Sequence, residues 1–275
     1  MTPRFDEWLA YTARQDRLMA ALFLLAFAVV AVVWYARRQR QDLLWFALGG
    51  FWSSLLALLA LNPPLITGPS FGLMIDQPLW YDEIFTWHMA KLPLSEMVRA
   101  TAGDVHPPLW YAVEHVTIQL LGDSEIALRL PALIMSIVSV ALCYRLAKAL
   151  GHGPAVALGA AGLLALTPGQ VWYAQEARMY ALLEMSVLLA TLGLVTGRRW
   201  LMGIGMVLTL YSHNLGIFYV IPIGLLALWL ELQDSGLTVR TTWVGVAVLA
   251  AWSPWLVTLL RQTRDISDGF WIQNC

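Results

Sequence analysis

The stretch EIALRLPALIMSIVSVALCYRLA, residues 125 to 147, is apolar over more than the about 20 residues a helix needs to cross the hydrocarbon of a bilayer. Similar stretches, long enough to span or nearly so, lie at 17 to 36, 43 to 61, 154 to 173, 179 to 196, 200 to 213, 216 to 231 and 241 to 260. The expected fold is therefore all-α, a polytopic membrane helical bundle of about eight transmembrane helices, with residues 1 to 275 forming one transmembrane domain. The run at 200 to 213 is short, and Ser212, His213 and Asn214 are costly groups to leave facing lipid. A break in the helical path is expected there. No internal repeat of fixed period is visible.

Composition agrees. The chain is 59% hydrophobic and 13% charged, with mean hydropathy +0.64, a surface no water-soluble domain of this size would carry. Net charge is −1, so no basic field points to nucleic acid. Cys143 and Cys275 make neither a disulfide framework nor a metal-ligand spacing. The first apolar run lacks a small-residue cleavage site and reads as a retained helix rather than a signal peptide.

Arg37, Arg38 and Arg40, then Arg145 and Lys148, then Arg198 and Arg199 cluster at turns that fall on one side of the bundle. The positive-inside rule makes that side cytoplasmic. Residues 62 to 124, the connection near 174 to 178, the turn at Ser212 to Asn214 and the tail from Arg261 then face outward. Within 62 to 124, Asn62-Pro63-Pro64 and Gly68-Pro69 stop a helix, and a helix is expected to begin near Ile84. Leu94 to Thr101 suits a short amphipathic helix. Pro108 to Leu121 suits an interfacial helix with Glu114, His115 and Gln119 near one face. Pro107 and Pro108 fit its first turn, where missing amide hydrogens cost nothing.

Chemistry-bearing residues concentrate on that outer face. Asp82, Glu83, Asp104 and Glu176 supply acids, and His106, Arg178 and His213 supply nitrogen groups. A carboxylate can take the proton of an acceptor hydroxyl as a general base. A guanidinium can hold phosphate oxygens through two parallel hydrogen bonds. The combination suits glycosyl transfer from a lipid phosphate. Each residue also has a plainer reading: Asp82 and Glu83 as first-turn helix acids, Asp104 as a cap, Glu176 and Arg178 as interfacial charges, His213 as a satisfied polar group in a bundle. Trp80, Trp87, Trp110, Trp172 and Tyr173 can stack on sugar, although aromatic belts are common at membrane interfaces.

The order of these features resembles the membrane glycosyltransferases of the GT-C fold. Asp82-Glu83 stands in an outer loop, Asp104-Val105-His106-Pro107-Pro108-Leu109 precedes an interfacial helix, and Gly122-Asp123-Ser124-Glu125, Arg129-Leu130-Pro131 and Gln175-Glu176-Ala177-Arg178 follow. The subgroup most similar is that of the lipopolysaccharide-core galacturonosyltransferases, with aminoarabinose transferases and protein O-mannosyltransferases as wider relatives. The resemblance covers roughly residues 76 to 272. It implies a polyprenyl-phosphate sugar donor, a lipid, glycan or protein acceptor, a site on the outer face of a membrane such as the bacterial inner membrane, and a single displacement with inversion.

By motif match, 62 to 124 would be the catalytic loop and Asp82 the base. Glu83 would orient the base or the sugar, Asp104 and His106 would shape the pocket, Arg178 would meet the donor phosphate, and Glu176 would be a second acid near the sugar. No cofactor is required, although Asp82, Glu83, Asp104 and His106 could share a divalent metal if they converge. Relatives are usually longer, so a carboxyl-terminal part of the family fold is expected to be missing, and the hairpin at 17 to 61 would leave the amino terminus outside. The competing expectations are a transporter or lipid flippase, which would place paired charges near the midplane, and an inactive partner of a full-length transferase.

Overall fold

The computed structural model describes residues 77 to 104, 106 to 233 and 240 to 268. All of them belong to one unit, Phe71–Cys275. Among the described residues every regular element is helical: α1 (Tyr81–Lys91), α2 (Leu94–Ala102), α3 (Leu109–Leu121), α4 (Glu125–Ala149), α5 (Pro154–Leu166), α6 (Pro168–Tyr173), α7 (Tyr180–Val195), α8 (Arg199–Ser212), a 3-10 turn (Asn214–Gly216), α9 (Ile217–Gln233) and α10 (Arg240–Asp268). The apolar runs at 17 to 36 and 43 to 61 lie outside the described residues.

Three helical segments among the described residues are long and apolar enough to cross a bilayer: Glu125–Ala149, Asn214–Gln233 and Arg240–Thr263. The stretch at 154 to 173 is not one helix. Thr167 takes an extended conformation before Pro168, whose ring disfavours the helical region for its predecessor, so α5 and α6 are separate. The break expected near Ser212 to Asn214 is present. His213 is extended (φ −153°, ψ 141°) between α8 and the 3-10 turn, and its Nδ1 accepts from the backbone N–H of Leu215.

Small residues let α7 and α8 approach closely. A Cβ on Gly193 would collide with the backbone of Met202, and one on Gly205 with the backbone of Ala190. Helices in lipid associate through such close packing because hydrocarbon supplies no hydrophobic drive between them. Met202, Met206 and Leu210 of α8 then pack with Val220 and Ala227 of α9 and Val248, Trp252 and Trp255 of α10.

A second apolar cluster sits under the segment formed by α1 to α3. Met89 of α1, Met97 of α2, Trp110 and Tyr111 of α3, Ala132 of α4, and Met179, Ala181 and Leu182 at the start of α7 are all buried together. The short helices α1, α2 and α3 are thereby anchored to the bundle. This second cluster is the floor on which the chemistry-bearing residues stand.

Candidate active site

Helix α1 starts three residues earlier than Ile84, so Asp82 and Glu83 both lie in its first turn. Carboxylates are favoured there by the unpaired N–H groups and the helix dipole. Successive residues point about 100° apart on a helix, and the two acids meet different surroundings.

Glu83 is 1% exposed and fully engaged. Arg129, on the first turns of α4, donates to it from Nε at 2.8 Å and from Nη2 at 2.5 Å. The backbone N–H of Trp80 donates to its Oε2 at 3.2 Å, and that of Ala177 to its Oε1 at 2.8 Å. Arg129 also donates to the carbonyl of Gln77 at 2.7 Å. The carbonyl of Ala177 accepts from the indole of Trp110, which is wholly buried. Two side chains therefore hold both backbone polar groups of Ala177, and with it the turn Glu176-Ala177-Arg178. Breaking such a buried ion pair from one side would strand a charge at a cost of about 3 to 5 kcal/mol.

Asp82 is different. Its carboxylate is 37% exposed and lies 3.6 Å from Nη2 of Arg178, whose side chain is 4% exposed. The Nε of Arg178 has no hydrogen-bond partner among the described residues. Around Arg178 stand Tyr111 and Tyr180. The Tyr111 hydroxyl donates to Oδ2 of Asp104 at 3.5 Å, and the same oxygen meets Nδ1 of His106 at 3.3 Å. The His106 ring is T-shaped to that of His213, with centroids 5.4 Å apart, and His213 lies 6.1 Å from Tyr180. Burial, then the neighbouring His106 and Arg178, push His213 down to about 4, so it is a neutral ring at physiological pH. Burial and Asp104 hold the Tyr111 phenol well above its usual range.

The structure thus brings six of the seven expected residues into one linked set, Asp82, Arg178, Asp104, His106, His213 and, beside them, Glu176. Glu83 is the scaffold beneath. Glu176 is 5% exposed, and its Oε2 has no hydrogen-bond partner among the described residues. Burial is the main reason its carboxyl rises to about 7, with Arg178 pulling the other way. Among the described residues, no three His, Cys, Asp or Glu side chains are grouped to hold a metal ion.

Sequence reasoning missed four contributors. Arg129 was legible in principle, since a charge near the start of an apolar span demands a partner. Tyr111 and Tyr180 carried no signal distinguishing them from interfacial aromatics. Gln262 was equally silent: from α10 it donates to the carbonyls of Thr101 (3.1 Å), Ala102 (3.4 Å) and Asp104, and accepts from Asn214 at 3.4 Å. It closes the carbonyl end of α2, whose last groups lack helical partners, and ties the Asp104 segment to the bundle.

The protein-family model described as dolichyl-phosphate-mannose-protein mannosyltransferase matches residues 105–257, from the loop before α3 well into α10. No curated protein and no solved structure matches the chain. The matched region holds His106, Arg129, Glu176, Arg178 and His213, while Asp82, Glu83 and Asp104 precede it.

Proposed function

The chain belongs to the dolichyl-phosphate-mannose-protein mannosyltransferase family, and from that premise we propose that it moves a sugar from a polyprenyl-phosphate donor to an acceptor hydroxyl at the outer face of the membrane. It is an integral membrane glycosyltransferase. The observation that carries the site assignment is the contact between a partly exposed carboxylate, Asp82, and a buried guanidinium, Arg178, that retains an unpaired N–H.

The donor phosphate binds Arg178 through Nε and an Nη, the planar fork that matches two phosphate oxygens. Phosphate oxygens then compete with Asp82 for the guanidinium. Asp82 released from that contact has its oxygens open to the acceptor hydroxyl. It takes the acceptor's proton while the acceptor oxygen attacks the anomeric carbon, and the bond from that carbon to the phosphate oxygen breaks with inversion. The pair of electrons leaves on polyprenyl phosphate, whose added negative charge Arg178 holds, with the Tyr111 hydroxyl beside it.

Asp104 and His106 shape the acceptor side, with neutral His213 closing the pocket behind them. Glu176 is the second acid, next to the sugar. Glu83 touches no reacting atom in this scheme and acts by positioning Asp82 and Arg178. Kinship with the galacturonosyltransferase subgroup concerns the order of motifs rather than the sugar transferred. A bacterial inner-membrane setting, with the Arg37, Arg145 and Arg198 turns inside, completes the reading.

The test is transfer of labelled sugar from polyprenyl-phosphate donors to membrane acceptors by the purified chain. Asp82→Asn keeps the shape but cannot take a proton, and should lower turnover by about 100-fold to 10,000-fold. Full activity in Asp82→Asn removes Asp82 from the role of base.

A further inference from the structure

Behind the two histidines of the site runs a line of side-chain amides. Trp255 and Gln262 stand about two turns apart on α10 and share one of its faces. Asn214, in the 3-10 turn, is held between them. Nε1 of Trp255 donates to its Oδ1 at 3.3 Å, and its Nδ2 donates to Oε1 of Gln262 at 3.4 Å. Nε2 of Gln262 donates in turn to the carbonyls of Thr101 at 3.1 Å, Ala102 at 3.4 Å and Asp104. Trp255, Gln262 and Thr101 are all buried.

This line can run in one direction only. An indole has an N–H to give and nothing to receive with, whereas a backbone carbonyl only receives. With a donor fixed at one end and acceptors at the other, each amide between them has a single orientation that satisfies both neighbours. Turning either one over would set N–H against N–H or oxygen against oxygen, which costs free energy where water is excluded.

Each end of the Asn214 to Gln262 link carries a histidine of the site. Asn214 directly follows His213. Asp104, whose carbonyl Gln262 holds, meets Nδ1 of His106 through its Oδ2 at 3.3 Å. The two rings stand T-shaped with centroids 5.4 Å apart. Backbone beside one histidine is thus joined to backbone beside the other through a single amide of α10. Arg178 is secured from another side, by Glu83 and Trp110 through Ala177.

Resting on the glycosyltransferase reading above, we propose that Gln262 is a positioning residue for the acceptor: by tying the Asp104 segment to Asn214 it sets the gap between His106 and His213, and so the fit of the acceptor, without acting on the donor. Gln262 touches no reacting atom and works through the histidines. Trp255 fixes the direction in which its amide points.

The experiment compares the purified full chain with two variants. Gln262→Met keeps the length of the side chain but can neither donate nor accept as an amide does, and Trp255→Phe keeps an aromatic ring in the bundle while removing the N–H. Transfer of labelled hexose from a polyprenyl-phosphate donor is followed against rising amounts of solubilised membrane extract as acceptor, and separately against rising donor. Gln262→Met should raise the half-saturating amount of acceptor by about tenfold and Trp255→Phe by about threefold, with the donor KM of both within about twofold of the parent. A residue that merely supports the fold would lower the active fraction, so that kcat falls while both half-saturation values stay put. That result overturns the proposal, as does an equal rise in both.

A second readout needs no turnover. Burial, then His106 and Arg178, hold the His213 ring down to about 4. Followed by NMR in histidine-labelled protein, that titration should move up toward the ordinary 6.5 in Gln262→Met, because His106 and the cover it gives draw back. An unchanged His213 overturns the proposal. If Gln262→Met does not fold, Trp255→Phe decides by the same two readouts. A parent chain that transfers no sugar to the extract sinks the glycosyltransferase reading, and the His213 titration then decides alone whether Gln262 sets the gap.

Discussion

Asp82 and Glu83 are neighbours in sequence, share one helical turn, and live in opposite environments. Glu83 is buried and saturated, with Arg129 and two backbone N–H groups as partners. Asp82 is partly open to solvent and shares a guanidinium that has an N–H to spare. A saturated buried carboxylate has no oxygen to spare for an acceptor hydroxyl, which makes it a good strut and a poor base. An exposed one beside a cation that a phosphate can claim is poised for the converse. The lower knot builds the geometry and the upper cluster uses it.

The largest effect expected from that division is on stability. Arg129→Ala leaves Glu83 buried without its cation and should destabilise the chain by about 3 to 5 kcal/mol, seen as loss of the folded species in detergent. A variant that folds as well as the parent would mean that the knot is not the support of the site.

Next in size is the clamp. Arg178→Lys keeps the charge but loses the fork, and should lower turnover by about 3 kcal/mol in transition-state terms with little change in melting temperature. An interfacial arginine reaching for headgroups would tolerate lysine instead, so a fully active Arg178→Lys enzyme breaks the comparison at its upper half.

A smaller effect concerns pH. Burial raises Glu176 to about 7, so its carboxyl is largely neutral below that pH and charged above it. The groups facing it are Asp82 and Glu83, which raise it, and Arg178, which lowers it. If the charged form receives the sugar hydroxyls, kcat/KM should rise roughly tenfold per pH unit on the acid side and level off above about 7. His213, neutral through this range, does not contribute. Glu176→Gln should flatten that limb, and a profile unchanged in the variant would assign it to another group.

The smallest effect sharpens the lower half. Glu114 on α3 is wholly buried, neither of its oxygens has a hydrogen-bond partner among the described residues, and burial with Glu83 nearby raises it to about 9. An acid raised in the folded state favours folding while protonated, and that advantage is lost as pH climbs from about 4.5 towards about 9. Glu114→Gln removes the titration. Its stability relative to the parent should improve with pH, by about 1 kcal/mol for each pH unit between pH 5 and pH 7, one pKa unit being worth about 1.4 kcal/mol. A parallel pair of melting curves would place Glu114 in contact with water.

Much of this was legible in the sequence, for identifiable reasons. The spans at 125 to 147, 216 to 231 and 241 to 260 follow from apolar length alone. The interruption at His213 follows from polar groups that lipid would not accept. Pro168 announced a break that the apolar run at 154 to 173 concealed, because hydropathy does not register backbone sterics. The residues that cluster around Arg178 could be named from motif order. Their pairing could not, because Glu83, Arg129 and Ala177 are far apart along the chain and meet only through packing. Nothing in local pattern separates Asp82 from Glu83, and only their partners do.

The most direct test of that separation is to measure turnover and melting temperature on the same purified samples of Asp82→Asn and Glu83→Gln. The expected result is opposite profiles: Asp82→Asn melts like the parent and barely turns over, whereas Glu83→Gln melts markedly lower, and at temperatures where it stays folded it keeps more activity than Asp82→Asn. A Glu83→Gln protein that is as stable as the parent and inactive, beside an active Asp82→Asn, would contradict the account and move the base to Glu83.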